Sequence, residues 1–489
     1  IRGKSMATTK SNTNIYSLDL DKAEAYNAIK LPSGTWAARP GLVSCVQGPV
    51  GTDQRNVYAV SARSISGVLY HYVFNLSNIA IVGVTQSQVI CTVYDDEWVS
   101  IGSVNVGKLI DATAPWTSAI VEGKIVFNSP GVSRPMWCYI GSTPITAERV
   151  ASKIPDNTAI DLLPGLVCSF SNRIVWAFKN QIYVNEPASI LTISQGIGFS
   201  GDITDIFQQG SGGNLLVVTT DGVYVLPPDG LGGYSYEGVI SKIPHYSSLE
   251  YGNAASARGA VHGLTAQGLM NLNTADVTTL TDTRRPRKLT KFFGLGTTDY
   301  RRAAQMYATP TGYLITFGRN QPFCVIDVST GGIYWWDDTT INETIVGVCA
   351  DSSGDLVIAF NDGIRRLYGN VLTSAGSPAL AIEHVVNGIN STVIREVNVT
   401  ATSDGNSQVR AAIRSDLKAK TTIAVPDAAI VGTAIWGTGT AQEAEFRGTR
   451  LQFATRLDGI YLEIGFDADQ RIENAAVKTI TQSPLRVNN

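Results

Sequence analysis

The stretches GNLLVVTTDGVYVL at Gly213–Leu226 and GDLVIAFNDGIRRLYG at Gly354–Gly369 decide the fold. Each contains a short apolar run, an Asp-Gly pair and a second apolar run, a pattern that predicts a β-hairpin. Asp-Gly is typical of a type I′ turn, because both central residues of that turn need a positive φ that Asp and Gly adopt at little cost. The two stretches therefore predict one structural unit used twice.

Three further segments follow the same pattern of strand, turn and strand: residues 172–184, residues 123–139 and residues 311–327. The unit recurs at roughly 35–50 residues, which is the spacing of four-stranded propeller blades. A single blade cannot bury both of its faces, so several blades must stack around an axis. We therefore expect an all-β fold with a β-propeller of six to eight blades.

The sequence predicts three regions: an N-terminal arm at 1–30, the propeller at 31–371 and a C-terminal β domain at 372–489. Within the arm, DLDKAEAYNAIK at 19–30 is the early stretch with helix-forming composition. After about residue 372 the apolar residues alternate with period two, as in TRLQFATRLDGIYLEIGF at 449–466. This alternation predicts a small antiparallel sandwich.

Composition favours large apolar cores and excludes a strongly charged binding protein. Of 489 residues, 44% are hydrophobic and 16% charged, with a net charge of -3. No run of about 20 apolar residues occurs, so no membrane-spanning helix is expected. The first residues, IRGKSMATTKSNTN, lack the apolar core of a signal peptide, and whether residues 1–5 are native stays open. The six cysteines are scattered without a CxxC pair, which favours buried reduced thiols over a zinc site.

The motif search finds no catalytic signature, so the sequence predicts neither an enzyme nor a cofactor. The segment GSVNVGK at 102–108 has Leu109 where a phosphate-binding loop needs Ser or Thr, and we expect a loop between strands. Acidic clusters such as 95–97 are expected in solvated turns, and the DSSGD segment at 351–355 is expected to precede a hairpin. The histidines, expected at surface or blade-edge positions, are His71, His245, His262 and His384.

One charge run interrupts the blade pattern and is the candidate interface or DNA-contact site. Its basic residues are Arg284, Arg285, Arg287, Lys288, Lys291, Arg301 and Arg302. The aromatic residues Phe292 and Phe293 lie beside them, so phosphate contacts with base stacking are one interpretation. The other interpretation is an inserted loop or short helix that docks on a neighbouring protein or subunit.

Four parts of the chain together carry a resemblance to a known family. They are Arg39–Leu42 (RPGL), the hairpin Gly213–Leu226, the stretch Val277–Asp338 with its basic run and YWW, and Arg456–Ile464 followed by IENAAVKTI. In this order they resemble the tail hub or nozzle proteins of short-tailed bacteriophages, also called packaged-DNA stabilisation proteins. The resemblance is one of pattern along most of the chain, without an inserted domain or a lysozyme-like region.

The resemblance implies a structural role in the virion tail, with assembly in the host cytoplasm. Such proteins form a homo-oligomeric ring, usually a hexamer, below the portal and the head-to-tail adaptor protein. The ring continues and closes the channel for packaged double-stranded DNA and carries tail spikes or fibres.

Two alternatives stay open at this stage. A propeller glycosidase or lyase is one, although STGGIYWWDD at 329–338 lacks the Asp and the spacing of the turns typical of propeller glycosidases. A cellular propeller scaffold for protein partners is the other, although the Trp-Asp dipeptide of the commonest kind is missing.

Overall fold

The structure, a computed structural model, describes the chain in separate segments. The described residues are 12–17, 24–31, 33–47, 57–65, 67–81, 84–108, 116–121, 124–130, 136–139, 146–149, 152–153, 159–160, 165–170, 173–187, 192–209, 213–228, 234, 239–241, 252–265, 268–272, 276–277, 292, 300–329, 332–336, 343–367, 380–386, 392–403, 410–415, 418–424, 444–456, 460–466 and 470–481.

Among the described residues, six separate four-stranded antiparallel sheets each form a blade. Blade 1 contains Val57–Ile65, Val68–Ile81, Val84–Tyr94 and Ser100–Lys108. Blade 2 contains Thr117–Val121, Lys124–Asn128, Met136–Tyr139 and Thr146–Arg149. Blade 3 contains Leu166–Phe170, Arg173–Phe178, Gln181–Asn185 and Ile193–Gly198. Blade 4 contains Ile203–Gln208, Leu215–Thr219, Gly222–Leu226 and Val239–Ser241. Blade 5 contains Ala254–Ala257, Ala260–Thr265, Gly268–Asn271 and Asp276–Val277. Blade 7 contains Ile345–Ala350, Leu356–Phe360, Gly363–Leu367 and, from the start of the chain, Leu42–Gln47.

A further four-strand meander, blade 6, lies between blades 5 and 7 in the sequence. Its strands are Gln305–Ala308, Gly312–Thr316, Phe323–Asp327 and Ile333–Trp336. It begins a nine-stranded sheet instead of forming a sheet of its own. A short pair, Ser152–Lys153 with Ala159–Ile160, lies between blades 2 and 3, and a 3-10 helix at Tyr300–Ala303 precedes blade 6.

The first strands of the blades lie side by side in chain order and form a closed ring. The first strand of each of blades 2 to 6 contacts that of the next blade, and the first strand of blade 7 contacts that of blade 1. Blades 1 and 2 are joined by the hydroxyls of Ser61 and Ser118, 3.1 Å apart. The all-β propeller expected from the sequence is therefore confirmed.

Apolar cores fill the spaces between successive blades. Between blades 3 and 4 the core includes Val175, Ile182 and Leu215, all fully buried. Corresponding clusters join blades 1 and 2, blades 2 and 3, blades 4 and 5, and blades 7 and 1. Each fully buried aliphatic side chain contributes about 1.5–3 kcal/mol, so the stack of blades gains its stability interface by interface.

The hairpins predicted from the sequence are confirmed, but the Asp-Gly turns are not of the predicted kind. In blade 4, Thr219 pairs with Gly222, so the two turn residues are Thr220 and Asp221. In blade 7, Phe360 pairs with Gly363, so the two turn residues are Asn361 and Asp362 instead of the predicted Asp362 and Gly363. The reason in blade 4 is the Thr219 hydroxyl, which accepts hydrogen bonds from the backbone N–H groups of Asp221 and Gly222, both at 3.2 Å.

The chain divides into two compact units, and each unit is built from separate segments of the sequence. The propeller unit holds residues 42–323 and 341–368, and the appended unit holds 1–41, 324–340 and 369–489. In the appended unit, Gln470–Thr481 pairs with Trp36–Ala38, Thr392–Ser403 and Asn12–Ser17, while Ala28–Lys30 and Ala444–Arg456 lie at the edges of that sheet. Its other sheet runs from Ile333–Trp336 through Glu24–Tyr26, Leu380–Val386, Ile460–Phe466 and Arg410–Ser415 to Lys418–Ala424. The C-terminal strands thus lie in two sheets, as the sandwich prediction requires.

The helix-forming composition of 19–30 does not produce a helix where the structure describes it. Glu24–Tyr26 and Ala28–Lys30 are strands, and Glu24–Tyr26 runs parallel to Ile333–Trp336. Glu24 is buried, and its carboxylate accepts hydrogen bonds from the Trp335 indole at 2.6 Å and the Tyr26 hydroxyl at 3.0 Å. Tertiary hydrogen bonds at a buried carboxylate therefore override local propensity.

The segment 102–108, expected to be a loop, instead lies within the strand Ser100–Lys108 of blade 1. Its Val and Ile neighbours alternate with polar residues, which suits a strand with one buried face. Among the described residues, no helix has the length and apolar character that a membrane crossing requires.

The close approach of blades 7 and 1 leads to a stability prediction at Gly347. A Cβ at this position would lie 2.8 Å from the backbone N of Val60 in blade 1. We expect Gly347→Ala to lower the free energy of unfolding by about 1–3 kcal/mol, because a backbone atom cannot move aside as a side chain can. Thermal unfolding followed by circular dichroism measures it. Gly198→Ala is the matched control, since a Cβ there meets nothing within 4 Å, and equal melting temperatures for the two variants would contradict the prediction.

Candidate functional site in the central cavity

The first strands of the propeller surround a cavity of about 990 Å³. All of its lining residues belong to the propeller unit, and every blade contributes from its first strand. A volume of this size is typical of a small-molecule site. The cavity is therefore a candidate small-molecule site.

The lining is mostly small and apolar, with a few fixed polar groups. Arg63 of blade 1 donates from Nη2 to the hydroxyl of Ser118 at 2.7 Å and to its carbonyl at 3.2 Å. Burial lowers the pKa of Arg63 from its ordinary value. Tyr307 of blade 6 donates its hydroxyl to Gln305 at 2.5 Å, and burial raises the pKa of the phenol. Hydrogen bonds to neighbouring residues hold Arg63 and Tyr307 in place. These side chains therefore form part of the cavity wall.

Asp205 is the most perturbed carboxyl group of the cavity. Its side chain is buried, and Oδ2 makes no hydrogen bond within the described part of the chain. Burial raises the pKa of Asp205 well above its ordinary value, and a hydrogen bond from the backbone of Gly252 only partly opposes this effect. A buried carboxyl without an ion partner keeps its proton to higher pH. Asp205 is therefore a neutral acid over part of the pH range in which other aspartates are charged.

A thiol, an imidazole and a carboxylate form a chain at the junction of blades 7 and 1. Cys349, which lines the cavity, has its Sγ 3.9 Å from Nδ1 of His71. Nε2 of His71 lies 3.3 Å from Oδ1 of Asp96. Asp96 also accepts hydrogen bonds from the hydroxyl of Ser352 and, at 3.2 Å, from its backbone N–H. The order of the groups is that of a nucleophile, a base and an orienting acid.

The same turn that supplies Asp96 also covers the imidazole. Trp98 stacks on His71 with ring centroids 4.3 Å apart and an interplanar angle of 15°. Trp98 has a φ of 63°, which a bulky residue rarely adopts. The turn is closed by hydrogen bonds of Asp95, which accepts at its carbonyl from Trp98 at 3.1 Å and at Oδ1 from Val99 at 2.7 Å. Backbone strain of this kind is characteristic of functional sites.

The pKa values along this chain are set by burial and by the neighbouring groups. Burial lowers the pKa of His71, and Asp96 opposes that shift. Burial acts to raise the pKa of Asp96, but the hydrogen bonds from Ser352 and His71 outweigh it and the net pKa is lowered. Burial also raises the pKa of Cys349, with the Arg63 guanidinium acting in the opposite direction. At neutral pH the ground state is thus a thiol beside a neutral imidazole and a carboxylate.

The predicted histidine positions are partly wrong. His71 and His262 are buried, although the sequence predicted surface or blade-edge positions. His262 contacts the Tyr313 hydroxyl at 2.5 Å, and burial lowers the pKa of His262 to about 4. No local motif marks either residue, because Cys349 beside His71 and Tyr313 beside His262 come from other blades. His245 lies outside the described residues, and His384 lies in the strand Leu380–Val386.

Of the two predictions about acidic turns, one is confirmed and one is wrong. Asp351 accepts at Oδ1 from the backbone N–H of Asp355 at 2.9 Å, which confirms the predicted turn before a hairpin. Asp96, predicted to be solvated, instead binds His71 and Ser352. Within the described residues, no group of three or more His, Cys, Asp or Glu side chains could hold a metal ion. The five cysteines with described side chains, Cys45, Cys91, Cys168, Cys324 and Cys349, are free thiols.

The basic residues predicted as an interface lie mostly outside the described residues. These are Arg284, Arg285, Arg287, Lys288 and Lys291. Arg301 and Arg302 lie in the 3-10 helix Tyr300–Ala303, before the first strand of blade 6. The role of these seven residues as an interface or DNA-contact site stays a prediction.

Phe292, considered in the sequence for base stacking, is instead a core residue. Its side chain is fully buried, and its ring packs against Tyr300 at 4.7 Å and Phe317 at 4.8 Å between centroids. A ring enclosed by two other aromatic residues cannot stack on a nucleic-acid base. Phe292 is therefore part of an aromatic cluster with Tyr300 and Phe317.

The burial of Asp205 leads to a prediction about the pH dependence of stability. Because its folded pKa is raised, Asp205 contributes stability that is complete below its unfolded pKa of about 3.9 and is lost as pH rises through the folded pKa. We expect Asp205→Asn to raise the free energy of unfolding at pH 8 by about 1–3 kcal/mol, and to change it little near pH 4. Urea unfolding at both pH values measures the difference.

The control for this prediction is Asp221→Asn, which removes the same charge from an exposed turn. A stabilisation by Asp205→Asn that is equal at the two pH values would show that the carboxyl does not titrate abnormally.

Comparisons with known proteins give similarities to solved structures alone. No family model matches the chain, and no curated protein matches it. Two similar solved structures are the WD40 β-propeller domain of Doa1 (TM-score 0.41, 11% identity) and a streptogramin B lyase (TM-score 0.42, 12% identity); in each case 68% of this chain and 98% of the other are covered. A third is the extracellular domain of the two-component system BT4673 from B. thetaiotaomicron, with a TM-score of 0.46, 9% identity, 91% of this chain and 62% of the other covered. The strand pairing of the chain itself establishes its propeller fold.

Proposed function

We propose that this chain is a non-enzymatic structural subunit of the tail hub or nozzle of a short-tailed bacteriophage. In this role copies of the chain form a ring, a hexamer in the family that the sequence resembles. The ring joins the head-to-tail adaptor, carries tail spikes or fibres, and surrounds the path of the packaged double-stranded DNA. A propeller is a rigid module whose connections carry the interactions, which suits such a part.

The observation that carries the proposal is the connection between blades 5 and 6, residues 278–304. It is the longest connection between successive blades. It contains seven basic residues against the two acidic residues Asp282 and Asp299, whereas the chain as a whole has a net charge of -3. Long connections in compact domains are usually functional. A local excess of positive charge on a mildly acidic protein is suited to an acidic partner surface or to DNA phosphates.

The dimensions of the central cavity exclude a DNA path through a single propeller. The first strands of blades 2 to 5 have four to six residues. At about 3.3 Å per residue, they enclose the cavity of about 990 Å³ over roughly 13–20 Å, with a mean radius of about 4–5 Å. A DNA duplex, whose major groove alone is about 12 Å wide, does not fit such an opening. In the proposed ring the DNA therefore passes along the axis of the assembly.

The proposal predicts that charge reversal in the basic run damages assembly or DNA binding without unfolding the propeller. We expect Arg284→Glu with Arg285→Glu to lower the ring fraction in mass photometry, or to weaken duplex DNA binding at least tenfold at 50 mM salt. We also expect the DNA affinity of the unchanged chain to fall with rising salt, because phosphate contacts release counterions. The melting temperature should stay within about 3 °C, since exposed substitutions seldom exceed 0.5 kcal/mol.

The matched control is Lys179→Glu with Arg319→Glu, which reverses two exposed charges elsewhere on the propeller unit. A collapse of the melting temperature in the Arg284/Arg285 variant would show that these arginines are buried structural partners. A chain that stays monomeric with its purified adaptor and ignores DNA would instead favour the protein-interaction scaffold.

A further inference from the structure

We propose that Cys349 is an activated nucleophilic thiol. It lines the central cavity and forms a bond to the electrophilic carbon of a small uncharged molecule. In this site His71 is the general base and Asp96 is the residue that positions it. The site belongs to the propeller unit alone and is independent of the ring proposed above.

The hydrogen bonds of His71 are directed as a general base requires. The contact of His71 Nε2 with Asp96 Oδ1 at 3.3 Å selects the tautomer that carries its proton on Nε2. Nδ1 is then an acceptor, and it faces the Cys349 sulfur at 3.9 Å. Donor and acceptor are thus arranged for transfer of the thiol proton to the imidazole. Such contacts are commonly long before a ligand is bound and shorten in the reacting complex.

Packing holds the His71 imidazole in its orientation toward Cys349. Trp98 covers one face of the ring at 4.3 Å, and the side chain of His71 is completely buried. Asp96 is itself fixed by the backbone N–H and the hydroxyl of Ser352, three residues after Cys349. The positive φ of Trp98 shows that the turn accepts strain to place these groups. A cysteine that merely filled a core would need none of these contacts.

Several charged or titratable groups face the pair of Cys349 and His71. On the side of Cys349 these are Arg63, Asp351 and the thiol of Cys45, and on the side of His71 they are Asp95, Asp96 and Asp351. Asp351 is engaged by Arg366, whose Nη1 lies 3.3 Å from Oδ2. Arg63 thus remains the cation whose field favours a thiolate at Cys349. The carboxylates around His71 favour the imidazolium, so the two charged products of proton transfer are both stabilised.

The chemical step that follows balances without any further reagent. Cys349 gives its proton to His71 Nδ1 as the sulfur forms a bond to the electrophilic carbon, and the bond from that carbon to its leaving group breaks. The leaving group departs with the electron pair of that bond, and the imidazolium returns its proton to water. A cavity of about 990 Å³ with a mostly apolar wall admits small uncharged molecules best.

Cys168 provides an internal control in the same protein. It lines the same cavity from the first strand of blade 3 and is partly exposed, like Cys349. Burial raises the pKa of Cys168 to about 12, and its titratable neighbour is the phenol of Tyr234. The two thiols therefore share access and desolvation but differ in the imidazole and carboxylate beside Cys349.

The test is alkylation of the native full chain with a limiting amount of iodoacetamide, followed by peptide mass spectrometry over time. At pH 7 we expect Cys349 to react at least tenfold faster than Cys168, because its thiol has an adjacent base. The rate of Cys349 should also begin to rise at a lower pH than that of Cys168. Equal rates and equal pH profiles for the two cysteines would overturn the proposal.

Two variants separate activation from access. His71→Gln should lower the rate of Cys349 to that of Cys168, with the Cys168 rate unchanged. Asp96→Asn should lower it severalfold, and it serves as the second variant if loss of the buried His71 prevents folding. If either folded variant leaves the Cys349 rate and its pH profile unchanged, His71 does not act as a base. If the Cys168 rate changes in parallel, the substitution has altered the cavity, and activation by His71 is likewise rejected.

Discussion

The pairing of Leu42–Gln47 with Gly363–Leu367 is the interaction on which the propeller depends. Three strands of blade 7 come from the C-terminal end of the propeller sequence, and the fourth comes from its N-terminal end. Joining ends that are more than 300 residues apart costs about 5 kcal/mol in chain entropy. The cost is offset because the pairing removes an open sheet edge and completes an apolar core in which Val57, Val357 and Ile364 are fully buried.

Closure also fixes the character of the central cavity. When the ring is complete, the first strands of the blades face one another, and their side chains must share a small space. Glycine is required where the strands approach most closely, as at Gly347 beside Val60. Arg63 and Asp205 are two of the polar groups that remain in this space. Arg63 is held by a hydrogen bond to Ser118, and burial raises the pKa of Asp205. In the described part of the chain, the ring axis therefore holds several groups with perturbed pKa values.

Sequence reasoning succeeded where structure is local and failed where it depends on closure. The hairpin at Gly213–Leu226 follows from alternating apolar runs and a turn, both readable within 14 residues. The strand at Glu24–Tyr26 was missed because Trp335, 311 residues away, supplies the hydrogen bond that holds Glu24. His71 was misplaced for the same reason, since Cys349 is 278 residues away in sequence. The basic run at 284–293 was recognised from composition, but the burial of Phe292 required the packing of Tyr300 and Phe317.

The junction of blades 7 and 1 combines closure with the chain of polar groups around Cys349. Ser352 binds Asp96 from blade 7, while Asp96 binds His71 within blade 1, so the hydrogen bonds cross the junction. Because side chains alternate along a strand, a shift of one residue in Ile345–Ala350 would turn Cys349 away from the imidazole. The same shift would move Ser352 from Asp96 and place a side chain where Gly347 now admits the backbone of Val60. The groups that activate the thiol thus also specify the register in which the propeller closes.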